Sequence, residues 1–262
     1  IVCEHGYHGK TLGALSATAG EKYKQPFAPL LWEFVQIPFN NTSALEQALN
    51  DHTAAFIIEP IQGEGGIYTP ASDYLARCKE LCSAHGALLI IDEIQTGVGR
   101  TGSFLASQAW QTSGDIVCLG KGLAGGIPVG ATVVSGSIGK AIPKHIHTST
   151  FGGNPLASAG VLATLGLLTE TQLNHVRELG AHFKQALSTL RSDLITEIRG
   201  EGLMIGIAVK DKRNQLMKLL QERQILVIPA GEDVIRLLPP FVITEEDIAH
   251  ATQAFQTVLD SV

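Results

Sequence analysis

Two stretches decide the fold: Ala55-Phe-Ile-Ile-Glu-Pro60 and, after a helical pattern, Ala87-Leu-Leu-Ile-Ile-Asp92. Each is a short, continuous apolar run that ends in a carboxylate before a loop. That is how strands read when a parallel sheet buries them on both faces. Between them Leu75, Cys78, Leu81 and Cys82 keep helical spacing, Ser72 offers a cap and Gly86 a stop, so residues 55–92 form one βαβ unit. Runs at Ile1–Glu4, Ile116–Leu119 and Ala131–Ser135 extend the sheet, and Ser43-Ala-Leu-Glu46 has the capping-box pattern of a short helix.

After Asn154 the pattern changes. A small-residue helix over Leu156–Leu168 and a long amphipathic one over Thr171–Arg191 precede strands near Ile195–Arg199 and Leu203–Val209. A helix near Asn214–Gln224, strands at Leu226–Ile228 and Val234–Leu237, and a last helix opened by Thr244 complete a second unit.

The chain has 262 residues, 45% hydrophobic and 17% charged, enough for a large core. Lys plus Arg number 19 against 25 Asp plus Glu, a formal net charge of −6, so no basic field offers to hold nucleic acid or an anionic membrane, and neither partner is expected. The apolar stretch from Pro155 to Leu168 is shorter than the ~20 residues of a bilayer crossing. Four cysteines in apolar surroundings suit a reducing compartment, and a cytoplasmic location is expected. Cys78 and Cys82 lack partners at zinc-finger spacing, so no metal is assigned.

In open parallel sheets ligands bind beyond the carboxyl ends of the strands. Glu59 and Asp92 end two strands, and Lys121 follows a third inside Gly120-Lys-Gly122. Apolar walls lower a lysine's pKa, and flanking glycines let a planar group approach the backbone, so Lys121 is a candidate nucleophile. Asp92 is a candidate counter-charge for a pyridinium nitrogen. The plain alternatives are a buried Asp92–Lys121 ion pair and a solvated strand end at Glu59. Gly97-Val-Gly-Arg-Thr-Gly102 matches the dinucleotide fingerprint in letters only, because Ile94-Gln-Thr96 separates it from the strand and Asp115 precedes the next one.

Tyr7-His-Gly-Lys-Thr11, Glu59-Pro-Ile-Gln-Gly-Glu-Gly-Gly66, Asp92-Glu-Ile-Gln-Thr-Gly97, Gly120-Lys-Gly122 and Thr150-Phe-Gly-Gly-Asn-Pro155 occur in the order found in class III pyridoxal-phosphate aminotransferases. The resemblance covers nearly the whole chain. Within the family, His8 to Ala19 with Pro-Phe-Ala-Pro-Leu-Leu31 is most similar to putrescine-type members.

The resemblance implies an α/β fold of type I. Its mostly parallel large domain would be incomplete over residues 1–154, and a smaller α+β domain would span 155–262 with the interdomain helix. It further implies a homodimer with shared active sites and pyridoxal phosphate carried by Lys121. Asp92 would keep the pyridine nitrogen protonated, Tyr7 stack on the ring, Gln95 bond the ring hydroxyl and His8 lie near the ring edge, with Glu59 among the cofactor-binding set. Thr150, helped by Ser149, would reach the phosphate of the neighbouring subunit. Lys121, once released, would also move the proton of the central step.

By the same resemblance Arg236 receives an oxo-acid carboxylate, and Glu64 covers that arginine when an amine end enters. The alternative is a permanent structural ion pair. Lys10 stands where ornithine-type relatives carry arginine, and lysine cannot reproduce a two-pronged grip on a carboxylate. This favours a diamine or omega-amino donor, putrescine foremost, with 2-oxoglutarate as acceptor. Acetylornithine or ornithine transamination is the rival reading, and a catalytically silent assembly partner is the rival of another class. Family members run longer at the amino end, where a Gly-Thr turn and helix would cradle the phosphate, so the chain opening at Ile1 reads as cut.

Overall fold

The computed structural model describes residues 1–31 and 33–262. The first sheet comprises β1 (Val2–Cys3), β2 (Gln36–Ile37), β3 (Ala55–Ile58), β4 (Leu88–Asp92), β5 (Ile116–Leu119) and β6 (Ala131–Val134), in the order β2-β1-β3-β4-β5-β6. All neighbours are parallel except β5 and β6. The register pairs Ile58 with Ile91 and Asp92 with Cys118, so Glu59, Asp92 and the Gly120-Lys121 turn emerge at one edge.

The second sheet is antiparallel: β7 (Ile195–Glu201), β8 (Met204–Val209), β9 (Ile228–Ala230) and β10 (Val234–Leu237), ordered β7-β8-β10-β9. Helices Glu170–Ser188, Arg213–Glu222 and Glu245–Leu259 cover it through Val176, Phe183, Leu187, Leu216, Leu220, Ile248, Phe255 and Val258. The core around β3 and β4 reaches across to Met204, Ala208, Ala230 and Val234, so the two sheets share buried surface. The small-residue helix, Pro155–Leu167, lies against the Lys121–Ala124 turn, where a Cβ at Gly160 would come within 2.9 Å of the Ala124 carbonyl.

Several helix starts differ from expectation. The first is capped by Asn41, whose Oδ1 accepts from Ala44 N at 2.9 Å, so Ser43 lies inside the helix. Asp73, not Ser72, precedes Tyr74–Ala84, without a side-chain cap bond. Thr169 caps Glu170–Ser188, and the Thr244–Asp247 capping box is present. The strand expected at Leu226–Ile228 begins only at Ile228. Leu226 is 83% exposed, and Pro229, which cannot donate to a ladder, sits on this edge strand. The two-residue β2 carried no periodicity to find.

Candidate active site

The three strand ends and the loop after β1 enclose a cavity lined by Tyr7, His8, Gly9, Glu59, Asp92, Ile94, Gln95 and Lys121. Asp92, at the end of β4, is buried. Its Oδ2 lies 2.8 Å from His8 Nδ1 and its Oδ1 accepts from Ile94 N at 3.1 Å. The Asp92–Lys121 ion pair is therefore not formed: imidazole, not ammonium, occupies the carboxylate. His8 Nε2 is buried and unpartnered.

Lys121 has φ +50°, the left-handed region, at a cost of order 1–3 kcal/mol that the surrounding packing must supply. Among the described residues its amine has no hydrogen-bond or ion-pair partner. Desolvation by the cavity walls lowers its pKa; Glu64 opposes this, Arg236 adds to it, and Glu59 and Asp92 oppose it. The arrangement keeps an amine available for covalent chemistry.

Glu59 is no solvated strand end; it is 6% exposed. Its Oε1 accepts from Tyr7 N at 2.8 Å and its Oε2 from Gly63 N at 3.0 Å. The carboxylate thus ties the aromatic loop to the turn that carries Glu64. Burial pushes its pKa up to about 7, against the lowering effect of His8 and of the two N–H donors.

On the far side of Gln95, the buried Arg236 of β10 donates from Nη1 to Glu64 Oε1 at 2.7 Å and to Gln95 Oε1 at 2.9 Å. The Glu64–Arg236 pair expected from the sequence is formed. Gln95 differs from expectation: its amide is engaged by this pair, its Nε2 lying 3.4 Å from Glu64 Oε1, while the residue still lines the cavity. Gly63 leaves no room for more, since a Cβ there would stand 2.3 Å from Gln95 Oε1.

Three expected site residues lie outside this cluster. Lys10 is exposed, its Nζ 5.8 Å from the Tyr23 ring centroid. Ser149 and Thr150 are exposed on a turn beside Phe151, which is 80% exposed. Sequence reasoning also missed Glu93. Fully buried, it accepts from Ala106 N at 3.0 Å, Ser107 N at 2.8 Å and Thr96 Oγ1, fixing the loop after β4. The double acid Asp92-Glu93 at a strand end was the available signal, because successive side chains of a strand point to opposite faces.

With this geometry in place, the comparisons bear directly on it. The family model described as "Aminotransferase class-III" matches residues 1–259. The chain belongs to the class-III aminotransferases. It is 43% identical over 253 residues to the acetylornithine aminotransferase of Methanopyrus kandleri, covering 96% of this chain and 65% of that protein. It is 41% identical over 261 residues to the ornithine aminotransferase of an Exiguobacterium species, covering 99% and 65%. Among solved structures, the ornithine aminotransferase from Toxoplasma gondii superposes with a TM-score of 0.94 at 38% identity, over 100% of this chain and 63% of that one. A PLP-bound amine transaminase from an uncultivated Pseudomonas species gives 0.91 at 30% identity, over 99% and 69%. The chain spans a little under two thirds of the length of the curated relatives it matches.

The cofactor of these class-III enzymes is pyridoxal phosphate, and the superposition with them gives the chain the type I fold of pyridoxal-phosphate enzymes. The residues of the cavity fit it: an unpartnered amine, a buried carboxylate opposite, an aromatic side chain on the wall and an imidazole nitrogen left without a bond.

Proposed function

We propose that the whole protein is an aminotransferase that takes the terminal amino group of ornithine or N-acetylornithine and delivers it to an oxo acid such as 2-oxoglutarate. The observation that carries this reading is the cavity shared by the Lys121 amine, unpartnered among the described residues, and the buried Asp92, with the Arg236–Glu64 pair joined to its wall through Gln95. The names of the relatives support an ornithine-type donor. Lys10 does not carry a preference for putrescine: those relatives are named acetylornithine and ornithine aminotransferases, and Lys10 stands off the cavity, over Tyr23.

Pyridoxal phosphate supplies the electron sink that lets a proton leave the carbon bearing the donor's amine. The chain supplies the rest. Asp92, oriented by His8 and Ile94 N, would hold the cofactor by its ring nitrogen and keep that nitrogen protonated. Tyr7, fixed through its backbone by Glu59, would bound the cofactor from the cavity wall. Lys121, its ammonium disfavoured by desolvation, would take the proton from the donor carbon onto its own amine as a general base. Glu64 neutralises Arg236 while the amine donor is bound; when it swings away, Arg236 receives the acceptor's carboxylate. The exposed Ser149, Thr150 and Phe151 support a homodimer in which this turn serves the neighbouring subunit.

The test is direct. Borohydride reduction with added cofactor should fix it on Lys121, and Lys121→Ala should lose both the yellow colour and turnover of ornithine or N-acetylornithine with 2-oxoglutarate. An Ala variant that keeps both, or a protein that takes up no cofactor, refutes the reading and leaves the assembly-partner alternative.

A further inference from the structure

The fingerprint-like segment Gly97-Val-Gly-Arg-Thr-Gly102 does no work in the site described so far, yet its backbone is unusual. Val98, Gly99 and Gly102 all have positive φ. Its surroundings belong to the second unit. A Cβ at Gly99 would stand 2.8 Å from Leu168 and 3.2 Å from Phe241, and one at Gly202 would stand 2.6 Å from the Thr101 backbone. The glycines allow close approach between the loop that follows Asp92 and Gln95 and the sheet that carries Arg236.

Arg100 occupies that contact. Its carbonyl accepts from Leu203 N at 3.1 Å, and its Nη1 donates to Leu203 O at 3.1 Å and Pro239 O at 2.5 Å. The guanidinium lies over the Phe241 ring, 4.7 Å from its centroid. No carboxylate is paired with it among the described residues, and burial lowers its pKa to about 10, so it stays charged at neutral pH.

The two carbonyls are not arbitrary. The β8–β10 ladder pairs Ile207 with Ile235, Gly206 with Arg236 and Ile205 with Leu237. Continued in the same register, the next antiparallel positions place Leu203 opposite Pro239. One guanidinium nitrogen therefore bridges both strands just beyond their last pair, three residues from Arg236. It does so from a loop five residues after Gln95, the side chain to which Arg236 bonds.

We infer that Arg100 is a positioning residue for acceptor recognition: by clamping the open end of the β8–β10 ladder to the loop after Asp92, it sets Arg236 against Glu64 and Gln95. The inference rests on the proposed role of Arg236 as the carboxylate receiver. Removing the clamp frees β10 to shift relative to Gln95, and a displacement on the order of 1 Å at such a site costs up to about 100-fold. The donor's reacting amine, held near Lys121 on the first sheet, does not depend on it.

The experiment compares Arg100→Met and Arg100→Lys with the unaltered protein, alone and combined with Arg236→Ala. Two readouts are taken: single-turnover spectra of the donor half-reaction, and calorimetric binding of glutarate, a dicarboxylate that cannot react. Arg100→Met should weaken glutarate binding and raise the oxo-acid KM by about tenfold or more, and leave the donor half-reaction within about twofold. Arg100→Lys, which keeps the charge but not the fork, should fall between. In the Arg236→Ala background, Arg100→Met should add nothing to the loss of acceptor binding. Equal losses in both half-reactions, or an additive effect with Arg236→Ala, overturn the inference and leave Arg100 a general domain staple. If no donor turns over while glutarate binding still depends on Arg100 through Arg236, the aminotransferase reading fails and the positioning role stands.

Discussion

Replacing Glu59 by Gln should alter the pH dependence of stability in a direction fixed by its burial. The carboxyl titrates near 4.5 when unfolded and at about 7 in the fold. Between those values the native state keeps a proton that the unfolded chain has released, so stability falls as pH rises through the window. Converting 4.5 to 7 gives roughly 3 kcal/mol over the whole window, with full stabilisation only below the lower value. Glu59→Gln has no such titration. It carries a constant penalty of about 1–3 kcal/mol instead, because one amide oxygen cannot accept from both Tyr7 N and Gly63 N. Urea denaturation of the cofactor-free protein at pH 5, 6, 7 and 8 should show the variant gaining on the wild type by roughly 2.5 kcal/mol across the series, which starts inside the window. Glu93, also raised by burial, slopes both proteins alike and cancels in the difference. Parallel curves, or a variant that loses ground as pH rises, would refute the buried-carboxylate account of Glu59.

Glu64→Gln weakens the competitor for Arg236, so the KM for 2-oxoglutarate should fall by roughly threefold or more while the donor half-reaction slows; an unchanged KM marks the pair as structural. Arg236→Ala should raise the oxo-acid KM far more than the donor KM, and steady-state kinetics with each substrate varied in turn would show equal effects if there is no switch. Gly202→Ala places a Cβ 2.6 Å from the Thr101 backbone at φ +54°, and should cost about 2 kcal/mol, or roughly 5 °C in Tm by calorimetry. A wild-type Tm would mean that the close approach there is soft.

The carboxyl-end chemistry was legible because each residue sits where an apolar run stops. Ile57-Ile58-Glu59 and Ile90-Ile91-Asp92 announce buried strands, and the parallel register then brings their ends level with no further information. Partners across the fold were not legible. Nothing local to Asp92 says that its carboxylate is met by His8, 84 positions away, and nothing local to Gln95 says that Arg236 claims its amide. The helix start at Ser43 misled because a capping box is a pattern of letters until the backbone decides which oxygen faces the first free N–H groups, and here that oxygen belongs to Asn41, two residues earlier. Lys10 misled for another reason. The missing two-pronged grip says nothing of the donor when the side chain is a surface lysine with no substrate role, and its position over Tyr23 keeps it off the cavity wall.

The segment from Asp92 to Arg100 joins three tasks in nine residues. Asp92 meets His8 in the cavity, Gln95 meets Arg236, and Arg100 meets the far sheet. Glu93, buried beneath and bonded to Thr96, Ala106 and Ser107, holds the segment in one shape. A rigid connection of this kind suits the proposed function, in which one site serves two unlike substrates in turn. Under the proposed function, the groups that handle the amine would stay fixed on the first sheet while Glu64 moves off the charge that the second sheet presents beside Gln95. Glu93 should therefore be the least replaceable residue of the set. Glu93→Gln leaves a buried N–H of Ala106 or Ser107 unsatisfied at about 1–3 kcal/mol. It should also disturb the cofactor spectrum and acceptor binding together, where Arg100→Met disturbs acceptor binding alone. Separate effects of Glu93→Gln on the two readouts would break the claim that the segment moves as one piece.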